Sequence, residues 1–348
     1  MSTQPRIKDV AARAGVAVGT VSRVLNNQGN VSEEARRKVL KAIEELNYQP
    51  NAWARNLRTG RSRNIGYCVR DISNPLFSTA AVAIERVLDA EGLSLLIRNS
   101  FDHPERELKI VRSFLEQDVD GLILSPSIDS GAHIVEMAAA RGVPVAVLDR
   151  ESPAPSVRVM TDHVTGVEQA TKYLLDLGHR DIAIITGSQN VSAGRARVAG
   201  YERAFEARHI PVNRNLVFHG SFSREYGEKA GTALLRRDNR PTAIITGGTP
   251  LLLGLLPVIN SCALSIPDDL SIICCDDIDI TQLYRPPITV VRRDIARVGR
   301  LAAEAIVALL SGHSELAGAV HNIPTELVVR ESCAPPGEVR PPIERQQL

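Results

Sequence analysis

Three features of secreted, membrane or metal-binding proteins are missing from this sequence of 348 residues. No apolar run approaches the roughly 18 residues that a membrane-spanning helix needs. The N-terminal residues MSTQPRIKDV contain no apolar signal-peptide core. The five cysteines lack metal-ligand spacing; they are Cys68, Cys262, Cys274, Cys275 and Cys333. We therefore expect a soluble protein of the reducing cytoplasm, with no membrane partner.

The signatures of common enzymes are missing as well. The sequence contains no GxxxxGK[ST] loop, no GxGxxG after a strand, and no recognisable His/Cys or Ser/His constellation. Asp276, Asp277 and Asp279 could be considered as a metal site, but we interpret them as a solvated acidic turn. We therefore expect no catalytic residues, no metal and no cofactor, and an enzyme stays a remote alternative.

Charge is divided unevenly along the chain. Residues 1 to 63 contain 12 Lys and Arg against 5 Asp and Glu, whereas the remainder contains 29 against 35. A basic head on an acidic body predicts that only the head meets a polyanion such as DNA. A solvated basic face would give the same count, so charge alone leaves both interpretations open.

The head has the pattern of three short helices. The first has one apolar stripe, formed by Ile7, Val10, Ala11 and Ala14. Gly15 can end it in a left-handed conformation, and a second helix follows almost at once. The second helix has a shorter apolar stripe, formed by Val21, Val24 and Leu25. Ser32 is placed to cap a third helix, whose apolar stripe is Val39, Ile43 and Leu46. The spacing suits a helix-turn-helix, although generic three-helix packing explains the stripes equally well.

Longer sequence motifs separate these two interpretations. The segment IKDVAARAGVAVGTVSRVLN, followed by VSEEARRKVLKAIEELNYQPNAWARNLRTG, closely resembles the DNA-binding head of the lactose-repressor/galactose-repressor (LacI/GalR) family. The match covers residues 6 to 60. It implies a sequence-specific transcription regulator that binds operator DNA.

The resemblance also assigns residues to DNA contact. In the recognition helix these are Val18, Gly19, Thr20, Ser22, Arg23 and Asn26. Arg23 is the main candidate for base readout because a guanidinium can donate two hydrogen bonds to guanine. The head departs from the family at Ala17, where Ser or Thr usually caps this helix, and Gly19 has no side chain to read a base.

Residues 51 to 58 (NAWARNLR) resemble the family's hinge helix, which is too short to be stable alone in water. The resemblance implies that two hinge helices lie in the minor groove and that Leu57 wedges between base pairs, flanked by Ala54 and Arg58. An Arg-rich linker is the alternative. The role of Trp53 stays open.

Beyond the head, short β-branched runs alternate with helical stretches. The runs are IGYCV, SLLIR, GLILS and VAVL, then IAIIT, LVFHG, AIIT and SIICC. This alternation is typical of parallel sheets with crossover helices. We predict two similar lobes joined near residues 158 to 162. We also predict that a late strand (289 to 292) and helix (294 to 311) return to the first lobe.

The predicted fold is an all-α helix-turn-helix head followed by an α/β body of two interleaved parallel-sheet lobes, which resembles periplasmic sugar-binding proteins. The predicted divisions are a DNA-binding domain (1–50), a hinge (51–63), a first lobe (64–161 plus 292–322), a second lobe (162–291 plus 323–333) and a disordered tail (334–348).

Ligands of such bodies lie in the cleft beyond the carboxyl ends of the strands. By resemblance, Arg197 clamps the ligand and Asp276 pairs with its hydroxyls or ring nitrogens. Further candidates for effector binding end strands or supply walls: Asp71, Asn74, Phe77, Asp149, Arg150 and Phe222. A buried Arg–carboxylate pair could equally be structural.

The body departs from the family at two strand ends. Gly247-Gly248-Thr249-Pro250 replace a usual Asn-Asp pair, and Cys274-Cys275 replace a usual Gly-aromatic pair. A sugar or sugar derivative is the expected effector, but a phosphorylated or acidic one, or loss of ligand response, is consistent with these changes. Buried apolar thiols explain the cysteines better than a redox sensor does.

The sequence thus predicts a ligand-responsive regulator, by family default a repressor of carbohydrate or related catabolic genes. We expect a homodimer on a pseudo-palindromic operator, because the C-terminus lacks the apolar heptads of a tetramer-forming coiled coil. Control by a protein partner, or by no effector at all, is the alternative.

Overall fold

A computed structural model describes residues 5–25, 29–48, 61–129, 132–153 and 155–337. The chain divides into two compact units, Met1–Ser62 and Arg63–Leu348. In the described part of the chain, no helix combines the length and apolar character needed to cross a membrane.

The first unit contains the three helices predicted for the head. They are α1 (Ile7–Ala14), α2 (Val18–Leu25) and α3 (Glu33–Glu45). Gly15 ends α1 in the left-handed region with a φ of 65°. The hydroxyl of Ser32 caps α3 by accepting a hydrogen bond from Ala35 N at 3.3 Å. Val10, Val21 and Val39 are fully buried and form the centre of the core, one residue from each helix.

The second unit contains two six-stranded sheets, one in each lobe. The first-lobe sheet is parallel, with the order β11-β5-β4-β3-β1-β2. Its strands are β1 (Asn64–Val69), β2 (Ser94–Asn99), β3 (Gly121–Leu124), β4 (Val145–Leu148), β5 (Val157–Thr161) and β11 (Val320–Ile323).

The second-lobe sheet has the order β12-β10-β9-β8-β6-β7, and its one antiparallel pair among the described strands is β10 with β12. Its strands are β6 (Ile182–Gly187), β7 (Val217–Gly220), β8 (Ala243–Thr246), β9 (Ser271–Cys275), β10 (Thr289–Arg293) and β12 (Thr325–Val328). The central strands are buried on both faces, as their continuous apolar sequences require.

Helices cover both faces of each sheet. The first-lobe helices are α4 (Pro75–Ala90), α5 (Pro104–Glu116), α6 (Ala132–Ala139) and α12 (Ile295–Leu310). The second-lobe helices are α7 (His163–Asp176), α8 (Ser192–Glu206), α9 (Arg224–Leu235), α10 (Thr249–Ser261) and the short α11 (Asp279–Leu283). Single turns of 3₁₀ helix lie at Arg214–Leu216 and Ser314–Leu316. Each lobe therefore has its own apolar core.

The chain passes between the lobes three times, and one passage corrects the sequence prediction. β5 leads to α7, β10 leads to α12, and β11 leads to β12. The late strand β10 lies in the second sheet, where it pairs with β9 and β12, and only the helix after it returns to the first lobe. The prediction that strand 289–292 returns to the first lobe is therefore wrong, whereas the predicted division places residues 162–291 in the second lobe. The local pattern TVVRR of this strand does not reveal which of the two sheets it joins.

The predicted tail begins with residues that contact the second lobe. The carbonyl of Ala334 lies 2.9 Å from His179 Nε2 and accepts a hydrogen bond from Ser271 Oγ at 3.1 Å. Residues 338–348 lie outside the described residues.

Candidate functional site

An aspartate follows a central strand in each lobe, at corresponding places. Asp149 comes directly after β4, and Asp276 directly after β9. Both have left-handed backbones, with φ of 55° and 75°, a region that Asp tolerates better than most residues. Each backbone N–H donates at 2.9 Å to the neighbouring strand, Asp149 to Val159 and Asp276 to Val291. Carboxylates from both lobes therefore stand at the carboxyl ends of their sheets.

Arg293, the last residue of β10, joins these two carboxylates. Its Nε donates to Asp276 Oδ1 at 2.8 Å, and its Nη1 forms an ion pair with Asp149 Oδ2. Nη1 also donates to Thr161 Oγ1 at 2.9 Å. Since Asp149 lies in the first lobe and Asp276 in the second, a single buried guanidinium connects the lobes.

The ionisation of this centre follows from its charges. Burial alone would raise the pKa of Asp149, but the charge of Arg293 holds it well below its usual range. Burial, reinforced by the charge of Arg197, lowers the pKa of His163 to about 4. His163 is therefore neutral at pH 7. Its Nε2 lies 3.2 Å from Asp149 Oδ2, so we assign the ring proton to Nε2, as a donor to the carboxylate.

Two further arginines are almost completely buried in the cleft. Arg150 is 2% exposed and donates from Nη1 to its neighbour's carbonyl, Asp149 O, at 2.7 Å. Arg197, on α8, is 3% exposed and donates from Nη1 to Ala193 O at 2.9 Å. Among the described residues, no hydrogen-bond partner exists for Arg150 Nε and Nη2 or for Arg197 Nε. These donors are thus buried without an acceptor in the described part of the chain.

Aromatic rings connect the arginines of the two lobes. The guanidinium of Arg70, directly after β1, lies 4.9 Å from the ring centre of Phe77 and 5.7 Å from that of Phe222. Arg197 lies over the same Phe222 ring at 5.2 Å. Because Phe222 belongs to the second lobe and Arg70 to the first, the ring packs between cations from both lobes.

A cavity of about 850 Å³ opens between the lobes beside these groups. Its first-lobe wall includes Arg70, Asp71, Asn74 and Phe77, and its second-lobe wall includes Phe222. A smaller space of about 30 Å³ shares Arg70 and Phe77 with it and is otherwise lined in part by Tyr67, Ser125, Asp149, Arg150 and Arg293. The arrangement can enclose a small polar molecule between apolar walls and cationic donors.

A second set of contacts joins the lobes next to the cleft. Arg195 on α8 forms ion pairs with Asp129 at 2.9 Å and with Glu151 at 2.8 Å. Ser192 Oγ donates to Asp129 Oδ1 at 3.1 Å. The first-lobe carboxylate Asp129 is therefore already neutralised from the second lobe.

The acidic turn after β9 differs from the sequence interpretation. Asp276 pairs with Arg293, and Asp277 is a buried acceptor for Arg330 Nη2 at 2.6 Å. Two of the three carboxylates are thus ion-paired rather than solvated. No group of three or more His, Cys, Asp or Glu in the described ranges could hold a metal ion.

The vicinal cysteines are deeply buried at the end of β9. Cys274 is fully inaccessible and Cys275 nearly so, and burial raises the pKa of both thiols. A buried, protonated thiol reacts slowly with oxidants, so the structure favours the apolar interpretation of these residues.

In the separate head unit, α2 presents the predicted recognition residues. Val18, Gly19 and Arg23 are exposed, while Thr20 and Ser22 are half-buried. Asn26 and the hinge residues Ala54, Leu57 and Arg58 lie outside the described residues, as does Trp53.

Comparisons with known proteins agree with both units. The family model for bacterial regulatory proteins of the lacI family matches residues 6–51. The family model for a periplasmic binding protein-like domain matches residues 171–333. The HTH-type transcriptional regulator DegA of Bacillus subtilis (strain 168) is 33% identical over 336 residues, covering 94% of this chain and 98% of DegA. The HTH-type transcriptional repressor PurR of Vibrio campbellii is 33% identical over 338 residues, with the same coverage. The chain belongs to the lacI family of bacterial regulatory proteins. It is therefore a DNA-binding transcriptional regulator by family, as its sequence motifs predicted.

Solved structures of lacI-family members share the fold. The Lac repressor dimer bound to operator and the anti-inducer ONPF matches with a TM-score of 0.83 and 28% identity, covering 95% of this chain and all of that one. The regulator CelR in complex with cellobiose matches with a TM-score of 0.72 and 28% identity, covering 94% and 99%. The predicted fold class is confirmed.

The structure brings the eight predicted effector residues to one cleft, in four different situations. Asp71, Asn74, Phe77 and Phe222 line the large cavity, although Asp71 accepts from Ser73 and Asn74 caps α4. Asp149 and Arg150 line the small space, and Arg197 lies against Phe222. The carboxylate of Asp276 lies against Arg293.

Sequence reasoning missed two arginines of this lacI-family cleft. Arg70 follows β1 directly, so the rule that strand ends form the site could have found it. Arg293 also ends a strand, but assigning that strand to the wrong lobe hid its place between Asp149 and Asp276.

Proposed function

We propose that the chain is a ligand-responsive, sequence-specific transcription regulator that binds a pseudo-palindromic operator as a homodimer. The main support is one observation: a chain with a lacI-family head also contains a cleft with buried, partnerless guanidinium donors at the strand ends of two lobes. Buried donors of this kind are costly unless a ligand uses them. Two related structures support the two parts of the proposal. The Lac repressor dimer is bound to operator DNA, and CelR is bound to cellobiose.

The proposed DNA contacts divide between base readout and the hinge. Arg23 reads guanine, with contacts from Val18, Gly19, Thr20, Ser22 and Asn26 around it. Ala54, Leu57 and Arg58, on which the structure is silent, are proposed by family resemblance to enter the minor groove. Half-sites then follow the two-fold symmetry of the dimer.

The proposed switch is a change of angle between the lobes. Ligand in the cleft contacts both lobes, so it favours one relative orientation, and the first lobes of a dimer carry the hinges. A shift of the first lobes alters hinge spacing and so stabilises or melts the hinge helices. A repressor of carbohydrate or related catabolic genes, acting in the cytoplasm, is the form of this function that we propose.

The alternative is a regulator without an effector, or one that a protein partner controls. One observation favours it: Arg293 already neutralises the two central carboxylates and holds the lobes together. Such a body would not gain stability from any small molecule, which thermal unfolding in the presence of metabolites would show.

Selection of operator DNA from a random duplex pool, using purified full-length protein, tests the proposal. A palindrome of roughly 14 to 20 base pairs, bound at about nanomolar affinity, is expected. Binding that depends on salt but not on sequence would contradict it.

A further inference from the structure

Three cations meet in the cleft without the carboxylates that usually neutralise buried arginines. Arg150 and Arg197 are buried and retain partnerless donors, and a third cleft arginine, Arg70, has no partner for its Nε among the described residues. An uncompensated buried guanidinium destabilises a folded protein. Its presence in a cleft therefore indicates a missing partner of opposite charge.

Several of the protein's own carboxylates near the cleft are already engaged. Arg293 uses Asp149 and Asp276, and Arg195 uses Asp129. Glu107 accepts from the backbone N–H and hydroxyl of Ser127 at 2.9 and 3.1 Å, and burial raises its pKa.

Asp102, one of the acidic residues that line the large cavity, is a surface residue. Asp102 Oδ1 lies 3.6 Å from Arg70 Nη1, and its side chain is 56% exposed, so solvent screens it strongly. Since it contacts Arg70 rather than Arg150, the Nε and Nη2 donors of Arg150 stay without an acceptor.

The electrostatics of Arg150 agree with this geometry. Burial, followed by the charge of Arg70, lowers the pKa of Arg150 to about 9. A bound anion would raise the pKa of Arg150 again, because it attracts the two cations and accepts their hydrogen bonds.

The small space beside Arg150 is lined in part by donors that suit an oxyanion. Its volume of about 30 Å³ is roughly twice what one water molecule requires. Tyr67 Oη and Ser125 Oγ, 3.2 Å apart, add hydroxyl donors to its wall. Because the large cavity shares Arg70 and Phe77 with this space, a ligand can place its charged end here and its remainder in the larger volume.

We infer that the effector carries an anionic group, a phosphate or a carboxylate, that binds Arg150 and Arg70, while Arg197 and Phe222 hold the rest of the molecule. This inference rests on the proposed ligand response. It explains why the cleft keeps three arginines after Arg293 has neutralised its two central carboxylates. A neutral sugar would leave the donors of Arg150 without a charged acceptor.

Matched ligands test the charge directly. Full-length protein in phosphate-free buffer is titrated by calorimetry and thermal unfolding with glucose against glucose 6-phosphate, ribose against ribose 5-phosphate, and glucose against gluconate. The two sugar-phosphate pairs test a phosphate group, and the gluconate pair tests a carboxylate group. We expect an anionic member to bind at least tenfold more tightly than its neutral partner. Equal or tighter binding of the neutral member would overturn the inference.

A small-molecule extract of cells covers ligands outside these pairs. The extract is divided on an anion-exchange resin, and each fraction is added to the protein before thermal unfolding. Stabilisation by the retained fraction supports an anionic effector. Stabilisation by the flow-through alone overturns the anion and leaves the proposed ligand response standing. No stabilisation by either fraction, or by any pair, overturns the ligand response itself.

Arg150→Met gives a readout that a structural role would not produce. Removal of an unpaired buried cation should raise the Tm of the ligand-free protein while reducing anion binding at least tenfold. Arg112→Met, at an exposed position of α5, is the control and should change neither quantity. A lower Tm for Arg150→Met without ligand, together with unchanged anion affinity, would show that Arg150 is structural and would contradict the inference.

Discussion

Arg293 sets the charge at the centre of the cleft. Its guanidinium contacts a carboxylate from each lobe, and its side chain is only 6% exposed. Removal of one partner from a buried ion pair is costly because the remaining charges stay buried without compensation. The interaction therefore fixes the relation between the lobes as well as their charge.

Arg293→Met should lower the free energy of unfolding by about 3 to 5 kcal/mol, because it leaves Asp149 and Asp276 without their common partner. The neighbouring Arg292 provides the control. It pairs with Glu326 at 2.8 Å but is half exposed, so Arg292→Met should cost only about 0 to 1 kcal/mol. Urea unfolding measures both values. Equal costs would mean that Arg293 does not hold the lobes together.

His163 should titrate far below an ordinary histidine. Its pKa is lowered to about 4, whereas a solvated histidine has a pKa of about 6.5, so the unfolded chain binds the proton first as the pH falls. The contribution of His163 to stability is therefore complete above pH 6.5 and is lost as the pH falls toward 4. NMR titration of the ring protons measures the pKa. His163→Gln should flatten the pH dependence of unfolding in this range, and a pKa near 6.5 would contradict the buried arrangement.

At the scale of elements, sequence patterns predicted the strands with continuous apolar sequence and missed the more polar strands β5, β11 and β12. All eight β-branched runs are strands, because continuous apolar sequence between turns has few other solutions in a two-lobed body. The sheet edges β11 and β12 have partly exposed residues and no such run. Strand pairing is also non-local, which is why β10 was assigned to the wrong lobe while its bounds were nearly correct.

Sequence reasoning predicted those residues of the candidate site that lie at the ends of predicted strands. Asp149, Arg150 and Asp276 were found by this rule, whereas the ion pairs of Arg293 depend on tertiary contacts that no local pattern reveals. The head was predicted more completely, because its helices, Gly15 and the Ser32 cap are local features.

The turn between α1 and α2 depends on Gly15. Its φ is 65°, and a Cβ there would meet no atom within 4 Å, so only backbone strain opposes a side chain. Gly15→Ala should destabilise the head by about 1 kcal/mol. Gly19 in α2 has equally open space and an ordinary φ, so Gly19→Ala should not destabilise it. Hydrogen exchange of amides in α1–α3 of the full-length chain measures the stability of the head in both variants. Equal destabilisation by Gly15→Ala and Gly19→Ala would contradict the assigned turn.

The proposed hinge makes a separate prediction at the element scale. Leu57→Ala should weaken binding to the selected operator strongly and leave non-specific DNA binding nearly unchanged, because an inserted apolar wedge acts only in the kinked specific complex. Fluorescence anisotropy on operator and scrambled duplexes compares the two. Equal losses on both duplexes would refute the wedge assignment.

At the scale of the whole molecule, charge is divided between the head and the body. The head holds the excess of basic residues and the body the excess of acidic ones. Three passages of the chain join the two lobes. A ligand that contacts both lobes can therefore favour one orientation, provided its affinity for the two orientations differs.

Control of operator binding by the cleft is measured with operator and ligand together. Operator affinity of the full-length chain is measured by anisotropy at fixed salt, with and without the ligand that stabilises the body in thermal unfolding. The account predicts a change of roughly 5- to 150-fold, and the same factor in ligand affinity when operator is present. The same operator affinity with and without bound ligand would contradict it.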